Sequence, residues 1–303
     1  LSSASTEEPE LPRVVLFTGV PRSGTTVTFE SLSHHEEVAW LPAQWRILRG
    51  APLTGLYFRA FSNRAWQHIG YKRQPGQEPG GSLVRRFIPW SSEGYGFWQR
   101  RFSADIARDF LLGREPSPAE ASDARAWVAS YLRWAGKSCF IHKFTGPVRI
   151  QFLHCVFPEA TFVHLVRDPI AVVRSLLNVP FWEAGEGADR PWWNGIPERY
   201  LEVHRERPVP EVLAAAQWKA IVETARQEAQ LLPDGRYLEV RYSDFVSDPS
   251  GVVNDVLDGI GLGPSRRVSD AVARRSIRDR NADPRTALEP CVQANIEWAL
   301  SRL

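Results

Sequence analysis

The sequence predicts an α/β fold, a parallel sheet flanked by helices on both faces, and three observations predict it. Short apolar runs of buried-strand length recur at residues 13–20 (RVVLFTGV), 161–166 (TFVHLV) and 237–240. Two of them end in tight polar junctions, at 21–24 and 167–169, that open directly into helical patterns. The chain has 303 residues and is 43% hydrophobic, enough for one large core, so a single domain over 1–303 is expected. Strands that alternate with helices lie parallel, and right-handed crossovers put helices on both sides.

The elements follow in order. Residues 1–12 are a polar lead-in to the first strand, and Thr25 starts a helix (TTVTFESLSHH) whose first N–H groups are free. Residues 51–135 are rich in Trp, Arg, Gly and Pro, with turn clusters QPGQEPGG and PWSSEGYG, and read as a helical and loop insertion with helical stretches near 102–112 and 119–135. A helix is predicted over 170–177 after the second strand. The amphipathic pattern at 211–231 predicts another, ended by Pro233-Asp234-Gly235.

Composition excludes several classes of function. With 37 basic and 35 acidic side chains the net charge is +2, without the basic surplus of a nucleic-acid binder, so anion binding has to be local. Only Lys72, Lys137, Lys143 and Lys219 are lysines, an arginine bias expected of a bacterial coding sequence. Cys139, Cys155 and Cys291 form neither a disulfide framework nor a zinc spacing, and a cytoplasmic location is expected. No apolar run is long enough to span a membrane; the chain starts at Leu1 without any methionine, which leaves open a removed N-terminal anchor. Nothing in the sequence indicates an oligomeric state.

Residues 19–26 (GVPRSGTT) have the spacing of a phosphate-cradling loop between strand and helix, with Thr25 in place of the lysine after the second glycine. Backbone N–H groups and a helix N-terminus still suit a phosphate, whereas the missing lysine disfavours a nucleotide whose β and γ phosphates need holding. A second motif, Arg167-Asp168-Pro169 with Ser175 eight residues beyond Arg167, puts a guanidinium at a strand end and a hydroxyl two turns into the next helix. The two can converge on one anion.

Together these motifs resemble the sulfotransferase superfamily, whose 5′-phosphosulfate loop is written P-[KR]-[ST]-G-T-T and whose 3′-phosphate element is R-D-P followed by five residues and a serine. The resemblance runs from about residue 13 to 250. It includes Lys143 in HKFTGP and the segment Arg241-Tyr242-Ser243-Asp244-Phe245. It implies a P-loop-like fold and transfer of a sulfuryl group from 3′-phosphoadenosine 5′-phosphosulfate (PAPS) to an acceptor hydroxyl, leaving PAP and using no metal. It further implies that Arg22, Ser23, Gly24, Thr25 and Thr26 wrap the 5′-phosphosulfate, that Arg167 and Ser175 hold the 3′-phosphate, that Tyr242 lines the cofactor site, and that the insertion covers the acceptor.

In-line sulfuryl transfer, like phosphoryl transfer, depends on positioning and electrostatics, for which Arg22 and Lys143 are the candidates. The acceptor also needs a base. Relatives carry a glutamate near the segment that here reads Trp40-Leu41-Pro42-Ala43-Gln44, and Gln44 takes no proton. Glu93 is the first choice, with His142, His35, Glu36 and Glu37 as alternatives. Trp90, Trp98, Trp182, Trp192 and Trp193 are candidates to stack on an acceptor ring or to fill the core, and Arg278 and Arg280 to close over the cofactor or to lie exposed. The acceptor class expected is a carbohydrate or natural product. The alternatives are a P-loop small-molecule kinase and a non-catalytic nucleotide-binding module.

Overall fold

In the computed structural model, which describes residues 12–62, 89–179, 182, 190–275, 277–281 and 287–303, the first apolar run forms the central strand of a sheet. This is β1 (Arg13–Gly19), buried from Val14 onward because it has a strand on each side and helices above and below. The other strands are β2 (Val38–Trp40), β3 (Cys139–Thr145), β4 (Thr161–Val166) and β5 (Tyr237–Arg241). All pair in parallel, in the order β2-β3-β1-β4-β5. The chain leaves β1 for β2 on one side and β4 for β5 on the other. With right-handed crossovers, the helices after β1 and β4 therefore lie on opposite faces, and a crevice opens between the carboxyl ends of those two strands.

The helices that matter here are α1 (Thr25–Leu32), α2 (Gly50–Phe61), α3 (Tyr95–Gln99), α4 (Pro118–Ala135), α5 (Ile150–Val156) and α6 (Pro169–Leu177). They are followed by α7 (Glu198–Glu206), α8 (Pro210–Ala229), α9 (Tyr242–Ser247), α10 (Pro249–Gly259), α11 (Arg266–Ala273) and α12 (Pro290–Arg302). Among the described residues no helix is long and apolar enough to cross a membrane.

Local chemistry sets these boundaries. α4 starts at a capping box in which the Ser117 hydroxyl accepts from the Glu120 N–H and the Glu120 carboxylate accepts from the Ser117 N–H, and it stops at Gly136, which is left-handed (φ 65°). It buries Ala121, Ala124, Val128, Tyr131, Leu132 and Ala135, one helical stripe, and the Tyr131 hydroxyl donates to the Trp40 carbonyl at 2.6 Å, tying the helix to the edge strand. The buried Glu228 carboxylate of α8 accepts the Ile150 N–H at the start of α5 (2.7 Å), and burial raises its pKa.

Two expectations change. The helix expected near 102–112 is a single 3₁₀ turn, Ala104–Ala107; the chain then bridges Asp109 to Asn194, and Leu111 is left-handed at φ 55°. Pairing with a distant segment overrides the local helical pattern there. The strand set is also larger than the sequence indicates, since β2 has only three residues and β3 mixes His142 and Lys143 into an otherwise apolar run. The lead-in 1–11 and the turn cluster QPGQEPGG lie outside the described residues.

Candidate active site

The loop between β1 and α1 sits at the crevice. Gly19 has no room for a side chain, because an added Cβ would lie 2.4 Å from the Leu165 carbonyl oxygen of β4. Gly24 is left-handed (φ 89°), and a Cβ there would meet the Tyr242 ring at 2.6 Å. Between them Arg22 is also left-handed (φ 76°), a conformation costly for a side-chain-bearing residue and commonest where a loop is shaped for a ligand. α1 starts at Gly24 without a side-chain cap, leaving its first N–H groups facing the loop. The Ser23 hydroxyl is buried and has no hydrogen-bond partner among the described residues.

On the β4 side the second motif closes against this loop. Arg22 Nε donates to Ser175 Oγ at 2.9 Å, and Arg167 Nη1 donates to the Arg22 carbonyl at 2.8 Å. Arg167 lies over the Tyr242 ring at 4.5 Å, and its Nε donates to Asn281 Oδ1 at 2.7 Å. Burial first, and then the charges of Arg174 and Arg22, lower the pKa of the Arg167 guanidinium. A cluster of cations repelling one another in a half-buried crevice favours an anion. The Arg174 guanidinium donates to the Arg280 and Asn281 carbonyls, and the Tyr242 hydroxyl to the Arg278 carbonyl at 3.3 Å, so it is the backbone of 278–281 that borders the crevice while the side chains of Arg278 and Arg280 are exposed.

On the β3 side the loop meets a carboxylate. Lys143 Nζ donates to Thr26 Oγ1 at 2.9 Å and lies 3.1 Å from Glu93 Oε1. The other carboxylate oxygen, Oε2, accepts from the Thr145 hydroxyl at 3.0 Å. Glu93 reaches this place because 90–92 lies along the carboxyl end of β2, with Ala43 N–H donating to the Trp90 carbonyl and Ser92 N–H to the Leu41 carbonyl. The Tyr95 hydroxyl brackets Thr145, donating to its carbonyl at 2.5 Å and accepting from its N–H at 3.1 Å; burial pushes that hydroxyl up to about 12.

Strand alternation separates the remaining base candidates. Lys143 and Thr145 share one face of β3, and His142 points to the other, packed between Phe140, Phe144 and Trp98. The Trp98 indole, which can only donate, gives its N–H to His142 Nε2 at 2.8 Å. That nitrogen is therefore an acceptor, although the Glu93 carbonyl also lies 3.0 Å from it, and the proton belongs on Nδ1. Burial holds the ring neutral, with its pKa lowered to about 3.

His35, Glu36 and Glu37 precede β2 and so lie at the amino end of the sheet, opposite the crevice. There His35 contacts the Gly263 carbonyl, Glu36 accepts from the Ser265 hydroxyl and Glu37 from the Ser138 hydroxyl. Gln44 is buried in the turn after β2. Trp98, Trp182 and Trp193 are buried in the core rather than presented to a ligand, and Trp192 stacks under Arg108 at 4.0 Å.

Thr145, Tyr95 and Asn281 escaped sequence reasoning. Thr145 alone carried a signal, its spacing of two from Lys143 on a strand; the others are brought in by tertiary packing.

The sequence profile of the sulfotransferase family matches residues 14–264. The chain belongs to the sulfotransferase family. Two curated relatives are similar to this chain over part of its length. The omega-hydroxy-beta-dihydromenaquinone-9 sulfotransferase Stf3 of Mycobacterium bovis is 25% identical over 128 residues, 42% of this chain and 29% of that protein. The nodulation protein NoeE of Sinorhizobium fredii is 27% identical over 176 residues, 56% of this chain and 33% of that one. The matched region is thus about a third of the length of these relatives. Among solved structures, sulfotransferase STF9 from Mycobacterium avium superposes with a TM-score of 0.55 at 17% identity, covering 97% of this chain and 77% of that one; at that identity the likeness shows the fold.

Proposed function

We propose that this sulfotransferase moves a sulfuryl group from PAPS to an acceptor hydroxyl by in-line displacement, and that the acceptor is a carbohydrate or natural product. The observation that supports it most is the loop 22–26, which contacts Arg167 and Ser175 on one side and, through Thr26, Lys143 and Glu93 on the other. The donor set suits a nucleotide with phosphates at both ends: the α1 amides, the Ser23 hydroxyl and Arg22 for the 5′ group, and Arg167 with Ser175 for the 3′ group. Gly24 against Tyr242 keeps the loop pressed onto this surface, and Thr25 and Thr26 complete it.

Bound there, PAPS would supply an electrophilic sulfur and a phosphate leaving group. Arg22 and Lys143 oppose the negative charge that develops at the loop. Lys143 lies between Thr26 and Glu93, so a negative charge at the loop draws the ammonium toward it and away from the carboxylate. Glu93, one-third exposed, takes the acceptor proton, and Thr145 orients it. We assign His142 to the core instead of to proton transfer, because its Nε2 is taken by Trp98. Charge neutralisation by side chains and amides leaves no step that requires a metal. The naming of one relative for an omega-hydroxylated menaquinone supports a hydroxyl acceptor of the natural-product class. The segment 51–135, which brings Glu93 to the site, forms the acceptor side of a single domain in this reading.

Calorimetry on Arg167→Ala tests the donor. The variant should bind PAP more weakly by about 2 kcal/mol or more, while adenosine 5′-phosphosulfate, which lacks the 3′-phosphate, barely changes. Equal losses for both nucleotides would show that Arg167 does not read that phosphate, and absence of labelled sulfate transfer from PAPS to any hydroxyl acceptor would favour a binding module.

A further inference from the structure

We propose that the outer face of α2, with the turn before it, docks this protein onto an anionic lipid surface. The inner face of α2 is accounted for: Ala51, Thr54, Gly55 and Phe58 are buried, a stripe at helical spacing that packs on α4. On the opposite side the helix is apolar again. Leu53 is 53% exposed and Leu56 43%, and Ile47 in the preceding turn is 79% exposed. Adjacent exposed aliphatic side chains on one helix mark an interaction surface more than a solvated one.

Charge decides what fits it. Arg46, Arg49 and Arg59 are exposed around these side chains, and residues 38–62 contain no acid. These three arginines have no acid within that segment to offset them, in a chain whose net charge is only +2. A short helix with an apolar outer face flanked by arginines is the pattern of an element lying in the plane of a membrane interface, where apolar side chains enter the acyl boundary and guanidinium groups meet anionic headgroups. Trp134 of α4, packed against Gly55 and 41% exposed, adds the kind of aromatic side chain favoured at that depth. Three aliphatic side chains supply only a fraction of the roughly 800 Å² a side that a stable protein–protein interface buries, which argues against a second copy as occupant. The turn and α2 leave the carboxyl end of β2, the edge along which residues 90–92 run to Glu93, so docking there keeps the site beside the lipid surface.

Sedimentation of the full chain with vesicles tests it. The protein should pellet with phosphatidylglycerol mixed into phosphatidylcholine, not with phosphatidylcholine alone, and added salt should release it. Leu53→Glu/Leu56→Glu and, separately, Arg46→Gln/Arg49→Gln should each weaken partitioning by about tenfold or more while the circular dichroism and nucleotide binding stay those of the parent. No binding to anionic vesicles, equal binding to both kinds, or binding that neither variant reduces would overturn the proposal. So would a parent dimer that Leu53→Glu/Leu56→Glu turns into monomers, which would make the face an interface between copies.

Discussion

At the scale of single residues, the proposed chemistry depends on which face of β3 each side chain takes. His142 and Lys143 are neighbours in sequence, yet one enters an aromatic core and the other an ion pair with Glu93. Glu93→Gln keeps the shape and removes the basicity, so kcat should fall about 10²-fold with PAPS affinity nearly unchanged. Thr145→Val removes the hydroxyl that holds Oε2 and should cost less, about tenfold in kcat, with the loss confined to turnover and the acceptor KM little changed. Steady-state kinetics separates the two roles by size: Thr145→Val retains slowed turnover, while Glu93→Gln loses the larger factor. Full activity in Glu93→Gln would move the base elsewhere.

The elements are held by close approaches as much as by apolar stripes. Gly55 lets α2 sit on α4: an added Cβ would lie 2.7 Å from both the Trp134 Cβ and the Tyr131 carbonyl oxygen. Glycine to alanine inside a helix ordinarily stabilises it by about 1 kcal/mol, but here the new methyl meets backbone that cannot yield. Gly55→Ala should therefore destabilise by about 1–3 kcal/mol, the scale of overpacking, read as a lower denaturation midpoint at unchanged m value. A raised midpoint would mean that the helices separate without cost. The α4 boundaries were open to sequence reasoning because Ser117 and Glu120 make a local cap, whereas the turn at Ala104–Ala107 was not, its helical pattern being overruled by the pairing of Asp109 with Asn194.

Over the whole molecule, buried histidines set the response to acid. His34, His142 and His164 are buried, and desolvation lowers their pKa values from 6.5 to about 3, 3 and 4. Between those values and 6.5 the unfolded chain binds more protons than the folded one, so each histidine withdraws stability as the pH falls, at about 1.4 kcal/mol per pH unit. Denaturation midpoints should hold near neutrality and drop steeply below about pH 6; a flat profile down to pH 4 would mean that these rings are solvated. What the sequence determined by itself was whatever is written in contiguous residues: the first, fourth and fifth strands, the glycine-bounded loop, and the Arg167–Ser175 spacing, since strand period, turn chemistry and helix pitch are local properties. Only the tertiary structure decided that Glu93 meets Lys143 and Thr145, that His142 turns inward to Trp98, and that Asn281 reaches Arg167. Those pairs are 50, 52, 44 and 114 residues apart, and packing of the whole sheet, with no local periodicity to announce it, brings them into contact.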